Sequence, residues 1–360
     1  MAPSHARHAR RLGLVIVETD SFSILRRKRG QGFRYLDERT GRSPGREARV
    51  RIEALGIPPA WRDVRCAGCA DAHIQALGED GDGRRQYVYN PRWTKVRDAV
   101  KAERLLRFGR ALPQLRERVS RDLRGEGGKL CLRRVSAAAA RLVDRGAMRP
   151  GNEVTALAGH RGATTLTRRN VRVEGDRIEL DYVGKSGREH AFTVRDKGAA
   201  RILRGLTRLP ARRHVGRRAR RGEKGRLFVY RAEDGRTRRL TAAKLNRYLA
   251  EAAGTEVSAK DFRTFVGSAR ALEILFEHRA EGGPEASEAA RRRIVAKAVR
   301  AASDALRNTP AVARSSYVMP SLIEAFEAGT LADSLFRGPT RRGLDRAETA
   351  LMRHVEGQLR

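Results

Sequence analysis

Cysteine is scarce in this sequence, with three residues in 360: Cys66, Cys69 and Cys131. That rules out a disulfide framework. Cys66 and Cys69 form a CxxC with His73 nearby, but no second CxxC or paired histidine motif completes the four ligands of a closed zinc site. No metal is expected, and a reduced cytoplasmic protein is the simplest reading. Long apolar runs are also missing. The run Leu12 to Val17 is followed by Glu18 and Asp20; it is too short for a signal-peptide core, and no stretch approaches a membrane span. Acidic residues are outnumbered, 42 against 77 lysines and arginines, which gives a net charge of +35. A charge of that size favours polyanionic partners, nucleic acid first among them. An anionic membrane surface is the competing partner, but the basic residues run through the whole chain rather than forming one juxtamembrane cluster. Arginine far outnumbers lysine. Its planar fork suits bidentate phosphate contacts, although a genome rich in G and C would produce the same bias.

The length accommodates two domains with cores of their own. Residues 1–21 read as a basic, flexible tail holding a short strand at Leu14 to Val17. Residues 22–92 read as a β-rich domain. Phe33 to Asp37 is strand-like and is followed by the turn-rich TGRSPG. Arg49 to Leu55 fits either a strand or a short helix. It leads into Gly56-Ile57-Pro58-Pro59-Ala60-Trp61, where two prolines forbid a regular ladder and Trp61 serves as a core anchor. HIQALG, the Gly/Asp turn GEDGDG and RQYVYN then form a hairpin pattern. Strand alternation puts Gln86, Val88 and Asn90 on one side and Tyr87 and Tyr89 on the other. With Arg84 and Arg85 the tyrosines make an aromatic and basic face suited to phosphates and sugars; the alternative is that both tyrosines pack on the domain's inner side.

From residue 93 to 360 the pattern is mainly helical. Val96 to Leu115 carries an apolar stripe, and an alanine-rich helix at Val135 to Val143 stops near Arg145-Gly146. Arg149 follows in MRPGNE, at a helix boundary. A small antiparallel sheet is expected from Ala163 to Leu166, Asn170 to Val173, Ile178 to Tyr182 and His190 to Val194, with Lys185 on the tip GKSG. That tip is not a P-loop, because Glu179 stands where the motif needs its first glycine and no helix follows; no nucleotide is expected. Residues 207–226 form a basic, helix-poor stretch read as a loop or an extra DNA contact. Ala242 to Ala253 is a helix ending at Gly254. Ser258 caps the next helix, on which Lys260 and Arg263 share a face. Ala286 to Leu306 is a long helix, and Ser321 to Ala328 and Leu344 to Leu359 are further ones. Between them lies NTPAVARSSYVMP, read as a helix end, a basic turn and Tyr317.

Taken in order, RPGNE, GKSG, KDFRT and NTPAVARSSY resemble the catalytic set of type IB DNA topoisomerases, specifically the small bacterial and poxvirus-like branch. IPPAWRDV, HIQALG and GRRQYVYNPRW resemble that branch's N-terminal clamp, and the resemblance covers about residues 22–357. It implies an α+β fold, with a small β-rich clamp domain and a larger, mainly helical catalytic domain of the topoisomerase and tyrosine-recombinase kind. It also implies double-stranded DNA as partner, a monomer located at the nucleoid, and no cofactor. Tyr317 would be the nucleophile that forms a 3′-phosphotyrosyl link. Arg149 and Arg263 would hold the scissile phosphate, and Lys185 would protonate the leaving oxygen. Tyr87, Tyr89, Gln86, Arg84 and Lys260 would contact DNA. At the position nine residues before the tyrosine, where viral and eukaryotic relatives carry histidine, this chain has Asn308, which donates a hydrogen bond but carries no charge. Pro150, directly after Arg149, is a second oddity that bears on where that arginine points. Two other readings stand beside this one: a non-catalytic basic duplex-binding protein, and a tyrosine recombinase, which would carry His-x-x-Arg where Lys260 and Arg263 stand.

Overall fold

The structure, a computed structural model, describes residues 3–125, 130–209, 225–281 and 286–359. It divides into two compact units, Met1–Ala102 and Glu103–Arg360. The first extends past the boundary expected at residue 92. The architecture is α+β.

The first unit is built on a five-stranded antiparallel sheet, β1 (Ile24–Arg29), β2 (Gly32–Asp37), β3 (Arg62–Cys66), β4 (Ile74–Glu79) and β5 (Arg85–Tyr89), in the order β2-β1-β3-β4-β5. One face buries Ile24, Tyr35, Val64, Cys66 and Ala76 against Ile52. Ile52 belongs to α2 (Arg46–Ala54), so the segment that fitted either a strand or a helix is a helix. The proline turn leaves carbonyls without ladder partners. Arg26 supplies them from below, donating to Ile57 O at 3.2 Å, Pro58 O at 3.1 Å and Trp61 O at 2.7 Å. A buried arginine therefore completes a turn that proline chemistry leaves short of donors.

The expected flexible tail is instead a helix, α1 (Pro3–Arg11). Its basic composition hides a small apolar edge: Ala9, with Leu12, Leu14 and Ile16 beyond it, packs on Trp93 and Val96, and His5 stacks on the Trp93 ring at 5.9 Å. Within the expected strand Leu14 to Val17 only Val15 pairs, by a single parallel bridge to Ala72.

The second unit is mainly helical. Helix α3 (Trp93–Arg124), in which the unit boundary falls, precedes α4 (Leu132–Gly146), α5 (Glu153–Leu157), α6 (Lys197–Arg208), α7 (Ala242–Ala253), α8 (Ala259–Glu277) and α9 (Glu288–Leu306). Then come α10 (Pro310–Ser316), α11 (Pro320–Glu327) and α12 (Arg346–Leu359). Helix α4 is central and packs against α6, α7 and α8. Its run Ala137 to Ala140 is fully buried, since side chains this small let several partners approach one helix. Arg116 ties α3 to α4 and α12 through Asp144 at 2.9 Å and Glu348 at 2.8 Å, a partly buried cation neutralised by two buried carboxylates.

A three-stranded antiparallel sheet, β6 (Val171–Glu174), β7 (Arg177–Val183) and β8 (Glu189–Arg195), occupies the middle of the unit. The expected first strand, Ala163 to Leu166, is a turn of 3-10 helix instead, because its backbone donors go elsewhere: Ala163 N to Arg149 O and Thr164 N to Pro150 O, both at 2.8 Å. A two-stranded ribbon, β9 (Val229–Arg231) and β10 (Thr237–Arg239), precedes α7. Most of the basic stretch 207–226 lies outside the described residues; at its end Arg226 is buried, bonding Thr165 O at 2.6 Å and Glu153 at 2.7 Å.

Candidate active site

The segment around Tyr317 is shaped by two helix ends. Helix α9 stops at Arg307, which sits in the left-handed region at φ 51°. The reversal lets Asn308 N reach Ser303 O at 2.9 Å. Thr309 then caps a new helix by accepting from Val312 N at 3.2 Å, and Pro310 occupies its first turn, where a missing N–H costs nothing. The expected basic turn is thus the seven-residue helix α10, and Tyr317 is its C-cap. Ser268 on α8 pins the tyrosine from behind: its hydroxyl donates to Tyr317 O at 2.9 Å and accepts from Met319 N at 3.2 Å. Gly267 makes this approach possible, since a Cβ there would stand 3.2 Å from Tyr317 Cβ and 2.9 Å from Leu306 Cδ1.

Arg263 lies one turn earlier on α8, its guanidinium carbon 4.7 Å from the centre of the Tyr317 ring. It is 2% exposed. Such a burial needs acceptors, and two helix C-termini provide them: Arg263 donates to Ala147 O, just past α4, and to Leu306 O of α9 at 3.2 Å. Both helices thus present the negative ends of their dipoles to one cation. For the phenol, desolvation alone would push its pKa up. The charge of Arg263 and its hydrogen bond to Tyr317, with further help from Arg149 and Lys260, outweigh that and bring the pKa below the ordinary value of a tyrosine.

Arg149 reaches the same place from the end of α4 and donates to Asn308 Oδ1 at 2.6 Å. Pro150 does not turn it away. The backbone there is gripped by Ala163 N on Arg149 O and by Thr164 N and Oγ1 on Pro150 O, all at 2.8 Å. Gly151, at φ +102°, and Gly162 close on each other so tightly that a Cβ on Gly162 would lie 2.6 Å from Gly151. Asn308 is 5% exposed, and its Nδ2 is a buried donor with no partner among the described residues. Tyr317, Arg263, Arg149 and Asn308 therefore form one cluster.

Lys185 is not part of that cluster. It sits exposed on the turn between β7 and β8, where Ser186 and Gly187 both have positive φ. Gly184 N closes the turn on Arg188 O at 2.6 Å. Among the described residues no hydrogen bond or ion pair joins Lys185 to the other four. Lys260 is exposed on α8, with its charge felt by Tyr317.

Several neighbours went unread in the sequence. Arg188 donates to Asn308 O. Arg307 donates to Gly146 O at 2.9 Å and lies 3.8 Å over the Phe192 ring. Under the turn, Tyr182 and His190 are register partners on β7 and β8 and stack at 4.8 Å. Burial, opposed by Arg307, Arg263 and Arg149, pushes the Tyr182 phenol up to about 12; burial reinforced by the nearby arginines brings His190 down to about 4. Both are neutral at physiological pH, so neither adds to the charge of the nearby arginines. The inward alternation of Tyr182 and His190 was a usable signal; nothing in the sequence marked Arg188 or Arg307 among so many arginines.

In the first unit, Tyr87 and Tyr89 are 37% and 42% exposed, so they do not pack inward. Their rings lie 6.1 Å apart, and Tyr89 stacks on Trp93 at 6.3 Å. Gln86 points to the other side and is tied to Asp80 at 2.7 Å, and Arg84 is paired with Asp82 at 3.0 Å. Cys66 is buried, which pushes its thiol up to about 12, while Cys69 is exposed. Among the described residues, no three His, Cys, Asp or Glu side chains gather as a metal site, and no helix is long and apolar enough to cross a membrane.

Residues 90–328 match the family model for the eukaryotic DNA topoisomerase I catalytic core, and residues 32–80 match that for the bacterial DNA topoisomerase IB N-terminal domain. DNA topoisomerase 1B of Acanthamoeba polyphaga mimivirus is 30% identical over 309 residues, spanning 84% of this chain and 87% of the relative. The core match takes in Arg149, Lys185, Arg263 and Tyr317, and with more than half of the sequence accounted for in this way, the chain belongs to the type IB DNA topoisomerase family.

Proposed function

We propose that this enzyme relaxes positive and negative supercoils in duplex DNA by cutting and resealing one strand through Tyr317, without ATP or a metal ion. The observation that carries the reading is the contact of Arg263 with Tyr317, a buried cation 4.7 Å from the ring of a phenol whose pKa it lowers. In the forward step Tyr317 Oη attacks the scissile phosphorus. The bond to the 5′ oxygen breaks, leaving a 3′-phosphotyrosyl diester and a free 5′ hydroxyl. Charge gathers on the non-bridging oxygens in the transition state, and forked arginine donors hold such charge well. Arg149, Arg263 and the Nδ2 of Asn308 would take these positions. The departing alkoxide is a strong base and needs a proton. Lys185, on a turn with no side-chain ties, would swing in to supply it when DNA is bound.

The second step is the reverse, with the 5′ hydroxyl displacing Tyr317. One phosphodiester is exchanged for another, so no nucleotide need be hydrolysed. The strand rotates between the two steps. A monomer acting at the nucleoid fits this chemistry, as each cut needs one tyrosine. The test is relaxation of supercoiled plasmid with EDTA present and ATP absent, beside Tyr317→Phe. Relaxation and a denaturant-stable protein–DNA adduct are expected from the wild type alone. Duplex binding without relaxation by either protein would sink the proposal in favour of a non-catalytic DNA binder, and exchanged junction products would point to recombination.

A further inference from the structure

The ladder of the five-stranded sheet fixes which residues share a face. Leu36 pairs with Leu25, Leu25 with Arg65, Arg65 with Leu77, and Leu77 with Tyr87. Directly paired residues point to the same side, and so do residues two apart on one strand. Arg27 and Arg29 therefore share the face of Leu25, and Arg34 that of Leu36. Tyr89 shares the face of Tyr87. The opposite face is the one packed on Ile52. One side of the sheet thus carries Tyr87 and Tyr89 at one edge and three arginines at the other, with Leu77 buried between them against Phe22. With strands about 4.8 Å apart, the track from β5 to β2 is about 19 Å long.

The arginine end is the hairpin β1–β2. Arg27, Lys28, Arg29 and Arg34 are all exposed, and among the described residues no hydrogen bond or ion pair engages their side chains. Four other arginines of this unit are paired with carboxylates, Arg39 with Asp37, Arg49 with Glu53, Arg65 with Glu38 and Arg92 with Asp71. Arg27 stands directly opposite Arg34 in the ladder. Facing like charges destabilise a hairpin, and no carboxylate among the described residues is paired with either arginine. A polyanion would relieve the repulsion. Phe33, 40% exposed, lies on the other side of the ribbon with Arg26 over its ring, and a two-stranded ribbon is an element that the major groove of DNA admits.

We infer that the β1–β2 hairpin is a second duplex-contacting element of the first unit, with Arg27, Arg29 and Arg34 binding backbone phosphates on the same sheet face as Tyr87 and Tyr89. The inference rests on the DNA-relaxing function proposed above and adds to it a surface that holds DNA without taking part in the chemistry.

The test is the full chain carrying Arg27→Gln, Arg29→Gln and Arg34→Gln, titrated with a labelled duplex across a salt series. Each lost phosphate contact lowers the slope of log affinity against log salt by about 0.9, so a fall of about 2–3 is expected. The rate of single-turnover strand cleavage at saturating protein should stay unchanged. The matching lysine triple should keep the wild-type slope, which separates charge from misfolding. Arg46→Gln with Arg49→Gln, on the helix packed against the other sheet face, should change the slope by less than about 0.5. An unchanged slope in the glutamine triple would overturn the inference, as would an equal fall per charge in the control. If the wild type binds but never cleaves, the relaxation reading fails while the hairpin contact stands. If the wild type binds no duplex at all, both fail.

Discussion

Two sets of arginines in this molecule carry the same charge under opposite conditions. Arg263 and Arg149 are spoken for by the protein: one is locked between two helix C-termini, the other is bonded to Asn308. Arg27, Arg29 and Arg34 are exposed, Arg27 directly opposite Arg34, with no acidic partner among the described residues. The first set is fixed in advance by its hydrogen bonds, and in the proposed mechanism it would meet a developing charge at little reorganisation cost. The second set is strongly solvated and screened by salt, so it can raise local affinity but not hold a transition state. The contrast suggests a rule for so basic a chain: the functional weight of an arginine is read from its acceptors rather than from its charge.

The hardest way to break that contrast is Arg263→Ala. It removes the hydrogen-bond donor to Tyr317 and strands two buried carbonyls. Cleavage should fall by about 10²–10³-fold or more, as for loss of one preorganised donor, and thermal stability should fall with it. The salt dependence of duplex binding should not change. A variant that cleaves normally but binds with a shallower salt slope would show Arg263 to be an affinity residue like those of the hairpin, and the distinction would collapse.

A second, smaller effect separates buried from exposed groups by pH instead of salt. His354 on α12 is buried beside Ser321, and desolvation brings it from 6.5 to about 4. Between these values the unfolded chain binds a proton that the folded chain refuses. Stability is therefore complete above about pH 6.5 and is lost as the pH falls toward 4, by on the order of 2–3 kcal/mol. Melting curves from pH 7 to pH 4 should show this decline, and His354→Leu should remove that part of it. An acid branch equally steep in the variant would place the cause elsewhere. The hairpin arginines stay charged throughout and contribute nothing to it.

How much of this was visible beforehand depended on whether a signal was local. Ser258 as a cap, Gly254 as a stop and the alternation of RQYVYN are all written in neighbouring residues, and the elements follow them. Thr309-Pro310 was a local signal too, an N-cap followed by a first-turn proline, and reading it as a turn overlooked a helix start. The N-terminal helix was lost for another reason: its docking edge is essentially one alanine among arginines, and only Trp93 and Val96, far along the chain, make it an edge. The site itself was legible as a set of separated motifs. What joins them was not. Arg307 at positive φ, Arg188 on the Asn308 carbonyl and the grip of Ala163 and Thr164 on the Arg149–Pro150 backbone are contacts between segments with no shared pattern. Arg27 and Arg34 were missed likewise, because their opposition appears only once the strand register is known.

The finest division runs through Lys260, which is exposed like the hairpin residues yet close enough for its charge to reach Tyr317. Lys260→Gln forces a choice. If its role is electrostatic, losing the charge disfavours the phenolate and the Tyr317 pKa rises toward that of a free phenol. Single-turnover cleavage at pH 7 would then fall a few-fold. The gap to wild type would close as the pH rises past the tyrosine pKa in both proteins. If instead Lys260 binds a phosphate, the pH profile keeps its shape and the salt slope of binding falls by about 0.9. Its charge ranks behind those of Arg263 and Arg149 in lowering the Tyr317 pKa, and the first outcome is expected. It would extend the preorganised set to a residue at the water's edge, where burial alone would not have put it.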